Sequence, residues 1–313
     1  MTASRQLIVV RPHGFCSGVA RAVQTAEAVL ARFRGETIYC LNEIVHNRQV
    51  VSRLTALGMV FVRAVEEVPH GSLLLFSAHG VSPAVRRLAE ARGLRVIDAT
   101  CPFVTKVHAE VRRFAAQGAA VVCIGHRTHE EVAGVVGEAP DVVRVVENAQ
   151  EVEALDLPAH APVAVVTQTT LGEVQVESAM AALRRRFPAL QVPASTDVCY
   201  ATRNRQQAVR VLAQRCDRVL VLGSANSSNS QRLAKTARLA GAEALLVSDG
   251  KDLGEVAWDG VASVGLTSGA STPESFLDEV VGILRGRYGY PEPEGLTAVD
   301  ENSPVFTLPV LPA

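Results

Sequence analysis

Cys16, Cys101 and Cys199 each sit in a short turn, Gly-Phe-Cys, Thr-Cys-Pro and Val-Cys-Tyr, between a strand-like apolar run and an amphipathic helical pattern. Three thiols in like positions point to one shared centre. Three is one short of the thiolate set of an ordinary cubane iron-sulfur cluster, so convergence would leave one iron open to something other than protein. A thiolate at a helix N-terminus is favoured by the helix dipole and by free backbone N–H groups, which suits it to ligate metal. Zinc is the ordinary alternative for Cys and His, but its sites usually carry closely spaced C-x-x-C pairs, and this chain has none. The other three cysteines lie in apolar settings: Cys40 in Thr37-Ile38-Tyr39-Cys40-Leu41, Cys123 in Ala120-Val121-Val122-Cys123-Ile124, and Cys216 at helical spacing after Val209, Leu212 and Ala213. They read as core residues, Cys216 on the buried face of its helix.

The elements that must position the three thiols recur with them. After Cys16, the residues Val19, Ala22, Val23, Ala26, Val29 and Leu30 keep helical spacing, as do Val104, Val107, His108, Val111, Phe114 and Ala115 after Cys101. Each cysteine is then followed by a β-rich run ending in a polar loop: Glu43 to Asn47, Gly125 to Glu131, Gly223 to Ser230. His46 lies 30 positions after Cys16, His129 28 after Cys101, and Asn229 30 after Cys199. A further set of strand-then-polar-turn segments contains His79, Thr169 with Thr170, and Ser271. The pattern predicts an α/β fold of three repeats, residues 1–97, 98–195 and 196–285, with mainly parallel sheets. Such sheets bring polar turns to the carboxyl ends of their strands, so nine turns would face a common cavity. Residues 286–313, with Pro291, Pro293, Pro304, Pro309 and Pro312, read as an extended arm with little catalytic content, in which Val305 to Leu308 could add an edge strand.

The turns hold His46, His79, His126 and His129, then Thr169, Thr170, Ser227, Ser228, Asn229 and Ser271, with Glu131 as a nearby carboxylic acid. Imidazoles, hydroxyls, an amide and helix-start N–H groups suit a phosphorylated anion. Glu131 is placed to carry a proton and the Thr169 hydroxyl to relay it. The bland readings are a capping histidine, an N-cap and loop at Ser227 to Ser230, and an exposed helical Glu131 beside Glu130. What favours a site is the equivalent phase of these residues in three repeats.

Composition narrows the class. The chain has 313 residues, 48% of them hydrophobic, and a formal net charge of −1. That supports an extensive core and gives no basic field for nucleic acid. The apolar run Leu7 to Val10 is too short for a signal peptide, and no stretch approaches a membrane span, so the expected location is cytoplasmic, where disulfides are disfavoured.

The segments Pro12-His13-Gly14-Phe15-Cys16-Ser17-Gly18-Val19, Glu43-Ile44-Val45-His46-Asn47, Ser77-Ala78-His79-Gly80-Val81 and Asp98-Ala99-Thr100-Cys101-Pro102 resemble the 4-hydroxy-3-methylbut-2-enyl diphosphate reductase family of the non-mevalonate isoprenoid pathway. Thr167-Gln168-Thr169-Thr170-Leu171, Cys199-Tyr200-Ala201-Thr202, Asn226-Ser227-Ser228-Asn229-Ser230 and Gly269-Ala270-Ser271 continue the resemblance, which covers residues 7 to about 283. It implies a trefoil of three pseudo-equivalent α/β domains around one [4Fe-4S] cluster on Cys16, Cys101 and Cys199, with the open iron taking the substrate hydroxyl. It implies a diphosphate held by His46, His79, His129, Ser227, Ser228, Asn229 and Ser271. Glu131 would donate the proton, and Thr169 would orient substrate and relay. The products would be isopentenyl and dimethylallyl diphosphate. With no Gly-x-Gly nucleotide signature after a first strand, electrons would come from a ferredoxin or flavodoxin. The chain departs from the family pattern at three positions: Asn42 where His is usual, Glu130 where Pro is usual, and Arg203 where Thr is usual. These leave open a divergent paralogue acting on another allylic diphosphate. Two other readings are a non-reducing iron-sulfur hydro-lyase and a non-catalytic cluster-bearing sensor, although a sensor has no need of the anion-binding positions.

Overall fold

The computed structural model describes residues 5–312. In chain order the elements begin β1 (Gln6–Arg11), α1 (Ser17–Arg32), β2 (Ile38–Leu41), α2 (Arg48–Ala56), β3 (Met59–Val62), β4 (Leu73–Phe76), α3 (Pro83–Ala91) and β5 (Arg95–Asp98). There follow α4 (Pro102–Ala116), β6 (Ala120–Ile124), α5 (Glu130–Val136), β7 (Val143–Val146), α6 (Ala149–Glu153), β8 (Val163–Thr167) and α7 (Glu173–Arg186). The last are α8 (Tyr200–Ala213), β9 (Arg218–Leu222), α9 (Ser228–Leu239), β10 (Glu243–Val247), β11 (Ser263–Ser268), α10 (Glu274–Tyr288) and β12 (Glu294–Thr297). Among the described residues no helix is long and apolar enough to cross a membrane.

The chain divides into two compact units. One takes in the chain up to Val19, His46–Ser52 and Tyr200–Val305. Its five-stranded sheet runs β10-β9-β11-β1-β12 with every pairing parallel. The central strands β9, β11 and β1 are covered on both faces, so they are continuously buried and their alternate residues face opposite ways. Ile8, Val10, Val219 and Val221 pack with Val209 and Leu212 of α8 and Leu233 of α9, while Leu7, Val9, Leu220 and Leu266 pack with Phe276, Val280 and Leu284 of α10. Gly265 lets α8 sit close, since a Cβ there would lie 2.7 Å from Leu212. Cys216 belongs to the same cluster as Val209 and Leu212, but α8 ends at Ala213, so this thiol is buried in the loop before β9 and not on the helix as expected.

The other unit takes in Ala20–Val45, Arg53–Cys199 and the segment from Phe306. It carries two parallel sheets, β3-β2-β4-β5 and β7-β6-β8. Val107, Val111 and Phe114 of α4 and Val132 and Val135 of α5 cover one face of the three-stranded sheet, and Ala179, Ala182 and Leu183 of α7 cover the other.

A common order runs through the three sheets. The first three strands of each repeat line up as second, first, third: β3-β2-β4, β7-β6-β8 and β10-β9-β11. Beside each third strand lies the segment that leads into a cysteine. β5 pairs with β4 ahead of Cys101, Gln191 bridges to Ala164 of β8 ahead of Cys199, and β1 pairs with β11 ahead of Cys16. β1 therefore departs from the expected segment 1–97, because it completes the sheet of residues 218–268. Its apolar run reveals burial on both faces but not which neighbour will satisfy its backbone N–H and C=O groups.

The C-terminal arm also differs from expectation. α10 continues to Tyr288, where Gly289 in the left-handed conformation (φ 67°) caps it, and the added strand is β12, parallel to β1, while Val305 to Leu308 form no strand. The arm nevertheless does structural work. Glu301 receives Nη1 of Arg205 at 2.9 Å, and that guanidinium, only 1% exposed, also donates to the carbonyls of Gly14 and Ala201. Removing one partner of such a buried pair strands the other charge, at a cost of about 3 kcal/mol. Glu301→Ala is accordingly expected to lower the urea midpoint clearly, whereas Glu292→Ala, whose carboxylate partners Arg285 at the surface, leaves it nearly unchanged. Equal midpoints for the two variants, read by circular dichroism, would contradict this.

Candidate active site

The candidate residues stand at the carboxyl ends of strands and the starts of helices. In one unit these are Cys16 after β1, His46 before α2, Ser227, Ser228 and Asn229 at the start of α9, and Ser271 after β11. In the other they are His79 after β4, Cys101 after β5, His129 and Glu131 at the start of α5, Thr169 after β8, and Cys199 ahead of α8.

One backbone hydrogen bond is repeated at every cysteine. The amides of Cys16, Cys101 and Cys199 donate to the carbonyls of Ala270, Ala78 and Thr169, at 3.1, 3.0 and 3.1 Å. Each thiol is thereby pinned to the turn after the third strand of a sheet, next to Ser271, His79 and Thr170 respectively. Cys101 is the N-cap of α4 with Pro102 at its first position, where the missing N–H costs nothing. The three remaining thiols contrast with these. Cys40 and Cys123 are wholly buried and Cys216 nearly so. Desolvation pushes the first two far above the ordinary thiol range and Cys216 up to about 12. A thiol buried and held neutral in this way packs as a small apolar side chain.

A second recurring feature was not read from the sequence. About one and a half turns beyond each cysteine a basic side chain reaches the segment just before another. Arg21 Nη1 donates to the Thr100 carbonyl at 3.0 Å. Lys106 Nζ donates to the Ser195 carbonyl at 2.9 Å and to Asp197 Oδ1 at 2.8 Å, and Asp197 Oδ2 accepts the Thr167 amide. Arg205 completes the set at Gly14. The C-terminal arm braces two of these clasps: Thr307 offers its carbonyl to Arg21 Nε, and Phe306 packs edge-on to Phe103, 5.9 Å between ring centroids. The residues next to two cysteines also meet, since the Tyr200 hydroxyl donates to Ser17 Oγ at 3.0 Å and accepts the Ser17 amide at 3.2 Å. The basic residues five or six positions after each cysteine were the available signal.

Helix caps set the phase of the repeats more finely than sequence offsets. Asn47 Oδ1 accepts the amides of Gln49 and Val50, His129 Nδ1 accepts that of Glu131, and Ser227 Oγ accepts that of Ser230. Asn47, His129 and Ser227 are thus the equivalent N-caps. His46 stands one residue before its cap, and Asn229 is the counterpart of Glu131, not of His129 as the spacing suggested. The bland expectation of caps at His129 and Ser227 is met. Glu131 is not an exposed helical residue, for it is 2% exposed.

Glu131 forms the best-defined polar pair of the site. The Thr169 amide donates to its Oε1 at 2.7 Å and the Thr169 hydroxyl to its Oε2 at 2.9 Å. At the matching position Asn229 is 5% exposed, and neither its Oδ1 nor its Nδ2 has a hydrogen-bond partner among the described residues. A buried amide left so is expensive unless a ligand completes it. Ser271 donates to the His46 carbonyl at 3.0 Å, fixing the turn that carries the imidazole. The His126 backbone supports this set, its carbonyl accepting the His129 amide at 2.9 Å and its amide donating to Gln168 Oε1, but its ring stands 3.7 Å from the Glu147 carboxylate.

His79 is seated by small residues behind it. Gly80 has φ 76°, and a Cβ there would lie 3.1 to 3.2 Å from Val104, His108 and Thr100, while a Cβ on Gly134 of α5 would lie 3.2 Å from the His108 ring. His108 thus fills the space between the His79 turn and α5. Its Nδ1 lies 2.7 Å from Glu138, yet burial holds the ring below the usual imidazole range against that carboxylate's pull. His13 is lowered by burial likewise. The unfolded chain then binds more protons than the native one, and stability falls as pH drops through about 6.5. The urea midpoint is expected to decrease between pH 7.5 and 5.5, and His108→Gln should flatten that slope; an unchanged slope would refute the assignment.

Comparisons with known proteins follow the same outline. A family model described as LytB protein matches residues 7–285. The 4-hydroxy-3-methylbut-2-enyl diphosphate reductase of Rhodococcus jostii (strain RHA1) is 49% identical over 306 residues, covering 97% of this chain and 90% of the relative. The enzyme of that name from Zymomonas mobilis is 44% identical, covering 97% and 88%. A solved reductase structure from Plasmodium falciparum superposes with a TM-score of 0.94 at 36% identity over 98% of this chain and 96% of that one. A second, described as the terminal enzyme of the non-mevalonate pathway, gives 0.63 at 32% identity over 88% and 97%.

Proposed function

The chain belongs to the LytB protein family, and from that premise we propose that it removes the hydroxyl of 4-hydroxy-3-methylbut-2-enyl diphosphate reductively, as the last step of the non-mevalonate route to isoprenoids. Two electrons and two protons enter, the C–O bond breaks, and the oxygen leaves as water, giving isopentenyl or dimethylallyl diphosphate. The observation that carries this reading is the buried Glu131 carboxylate, held at both oxygens by Thr169 at the start of α5.

Cys16, Cys101 and Cys199 would hold one [4Fe-4S] cluster with an open iron. The donor set fits: these are the three partly exposed thiols, and each is tied by its own amide to a strand-end turn. When bound, the cluster supplies the electrons and a Lewis acid for the departing oxygen. A ferredoxin or flavodoxin is the proposed electron donor.

The remaining chemistry belongs to side chains of this chain. Glu131 is the proposed proton donor, and the Thr169 hydroxyl, already bonded to it, can pass that proton on through a change of rotamer. His46, His79, His129, Ser227, Ser228, Asn229 and Ser271 are the proposed holders of the diphosphate. The carboxamide of Asn229 offers a buried N–H pair that nothing among the described residues satisfies, and the start of α9 adds backbone donors. In His129 the Nδ1 accepts an amide, which leaves the proton of the neutral ring on Nε2 as a donor for phosphate oxygen.

Two measurements test the reading on anaerobically reconstituted protein. Glu131→Gln keeps an acceptor for the Thr169 amide but holds no transferable proton; turnover with reduced methyl viologen is expected to fall at least about tenfold, and an undiminished rate would remove Glu131 from the mechanism. Iron per chain should collapse in Cys16→Ser, Cys101→Ser and Cys199→Ser and persist in Cys40→Ser, Cys123→Ser and Cys216→Ser. Loss in the second group would overturn the sorting of the six thiols.

A further inference from the structure

Glu130 occupies the first position of α5, where the family usually has proline, and the structure gives it a particular neighbour. Its Oε2 lies 3.1 Å from Nδ1 of His79, and Arg63 Nη1 lies 3.8 Å from its Oε1. Oε2 is buried and meets no donor in hydrogen-bonding geometry, so charge and not a directed bond must compensate it. Arg63 is largely exposed and more distant, whereas the His79 side chain is 13% exposed. Asn42, a second departure from the family pattern, lines the same cavity of about 350 Å³ beside Arg63, Gly80 and Glu130.

The adjacent residues of α5 set two imidazoles in opposite ways. The Glu131 amide donates to Nδ1 of His129, so that nitrogen carries no proton. At His79 a carboxylate oxygen stands 3.1 Å from Nδ1 and Ser77 Oγ 3.2 Å from the same nitrogen, and a carboxylate this close favours the ring that carries a proton on both nitrogens. The doubly protonated ring can both attract the Glu130 carboxylate and donate to phosphate oxygen. The two rings stand edge to face, 5.9 Å between centroids, within reach of one ligand.

We propose that Glu130 is a positioning residue that holds His79 as an imidazolium, so that the diphosphate meets one charged and one neutral imidazole. The inference rests on the diphosphate reading above. It goes beyond it in assigning the strength of that grip to a residue that does not touch the substrate.

The test measures binding of inorganic pyrophosphate by calorimetry, and KM and kcat for the diphosphate substrate, in wild type, Glu130→Pro, Glu130→Gln and Glu130→Asp. Proline fits the first helical position, and His129 before it already has extended backbone (φ −84°, ψ 135°), so Glu130→Pro removes the carboxylate without straining the chain. Loss of a charge-assisted partner should weaken pyrophosphate and raise KM by about tenfold in the Pro and Gln variants, with a smaller fall in kcat. Aspartate should restore much of the affinity. Pro and Gln variants that bind pyrophosphate as tightly as wild type would overturn the proposal, and so would an aspartate variant no better than glutamine. A wild type that binds pyrophosphate but does not reduce the allylic substrate would instead count against the functional reading alone.

Discussion

Each cysteine-bearing turn is held from two sides by bonds to the backbone, and the other parts of the site depend on that constraint. The cysteine's own amide is bound to a strand-end carbonyl, and the turn ahead of it is grasped by Arg21, Lys106 or Arg205 from the helix that follows another cysteine. A thiol needs only a wrong rotamer or a shift of an ångström to fail as a ligand, and loops are the least constrained part of a fold. Charge-assisted donors on buried or half-buried carbonyls remove that freedom. Because each donor sits on a helix that itself starts at a cysteine, displacing one turn disturbs the support of another.

Parallel sheets make this arrangement possible. A strand buried on both faces must be continuously apolar, so polar chemistry is forced out to its ends, and parallel strands place like ends on one edge. In each of the three sheets the repeat's first strand sits between its second and third, and the segment leading into a cysteine adds beside the third, as a strand in two sheets and as a single bridge at Gln191 in the other. The thiol consequently emerges next to the turn that carries His79, Thr169 or Ser271. The C-terminal arm contributes at the same points, with Glu301 neutralising Arg205 and Phe306 packing on Phe103.

The polar groups of the site divide into those the protein satisfies and those it leaves for a ligand. Glu131 accepts the Thr169 amide at one oxygen and the Thr169 hydroxyl at the other, which holds a buried carboxyl beside a hydroxyl. Asn229, at the same helical position in another repeat, is left with both amide atoms unmatched. The same helical position thus carries a bonded carboxyl in one repeat and an unmatched amide in another. The neighbouring Glu130 and Glu131 approach the two imidazoles through different atoms, a side-chain carboxylate 3.1 Å from His79 Nδ1 in one case and a backbone N–H donated to His129 Nδ1 in the other.

The periodicity of apolar residues determined the elements, the threefold repetition and the separation of three partly exposed from three buried cysteines, because burial writes itself into residue type. The turn residues themselves, from Cys16 to Ser271, were legible through their motifs. The pairing of β1 with β11 was not, since a two-faced apolar strand carries no label for its partner. Nor was the placing of the C-terminal strand at Glu294–Thr297, where the sequence is polar and proline-flanked and only the exposed backbone edge of β1 selects it. Offsets from the cysteines matched His129 to Asn229, whereas the caps match Glu131 to it, because one or two residues of loop are invisible to counting but decisive for which side chain a helix presents. The sequence determined which groups would stand at strand ends; tertiary structure decided which of them are satisfied by the protein and which, like Asn229, are held open, because that depends on hydrogen bonds between residues far apart in the chain.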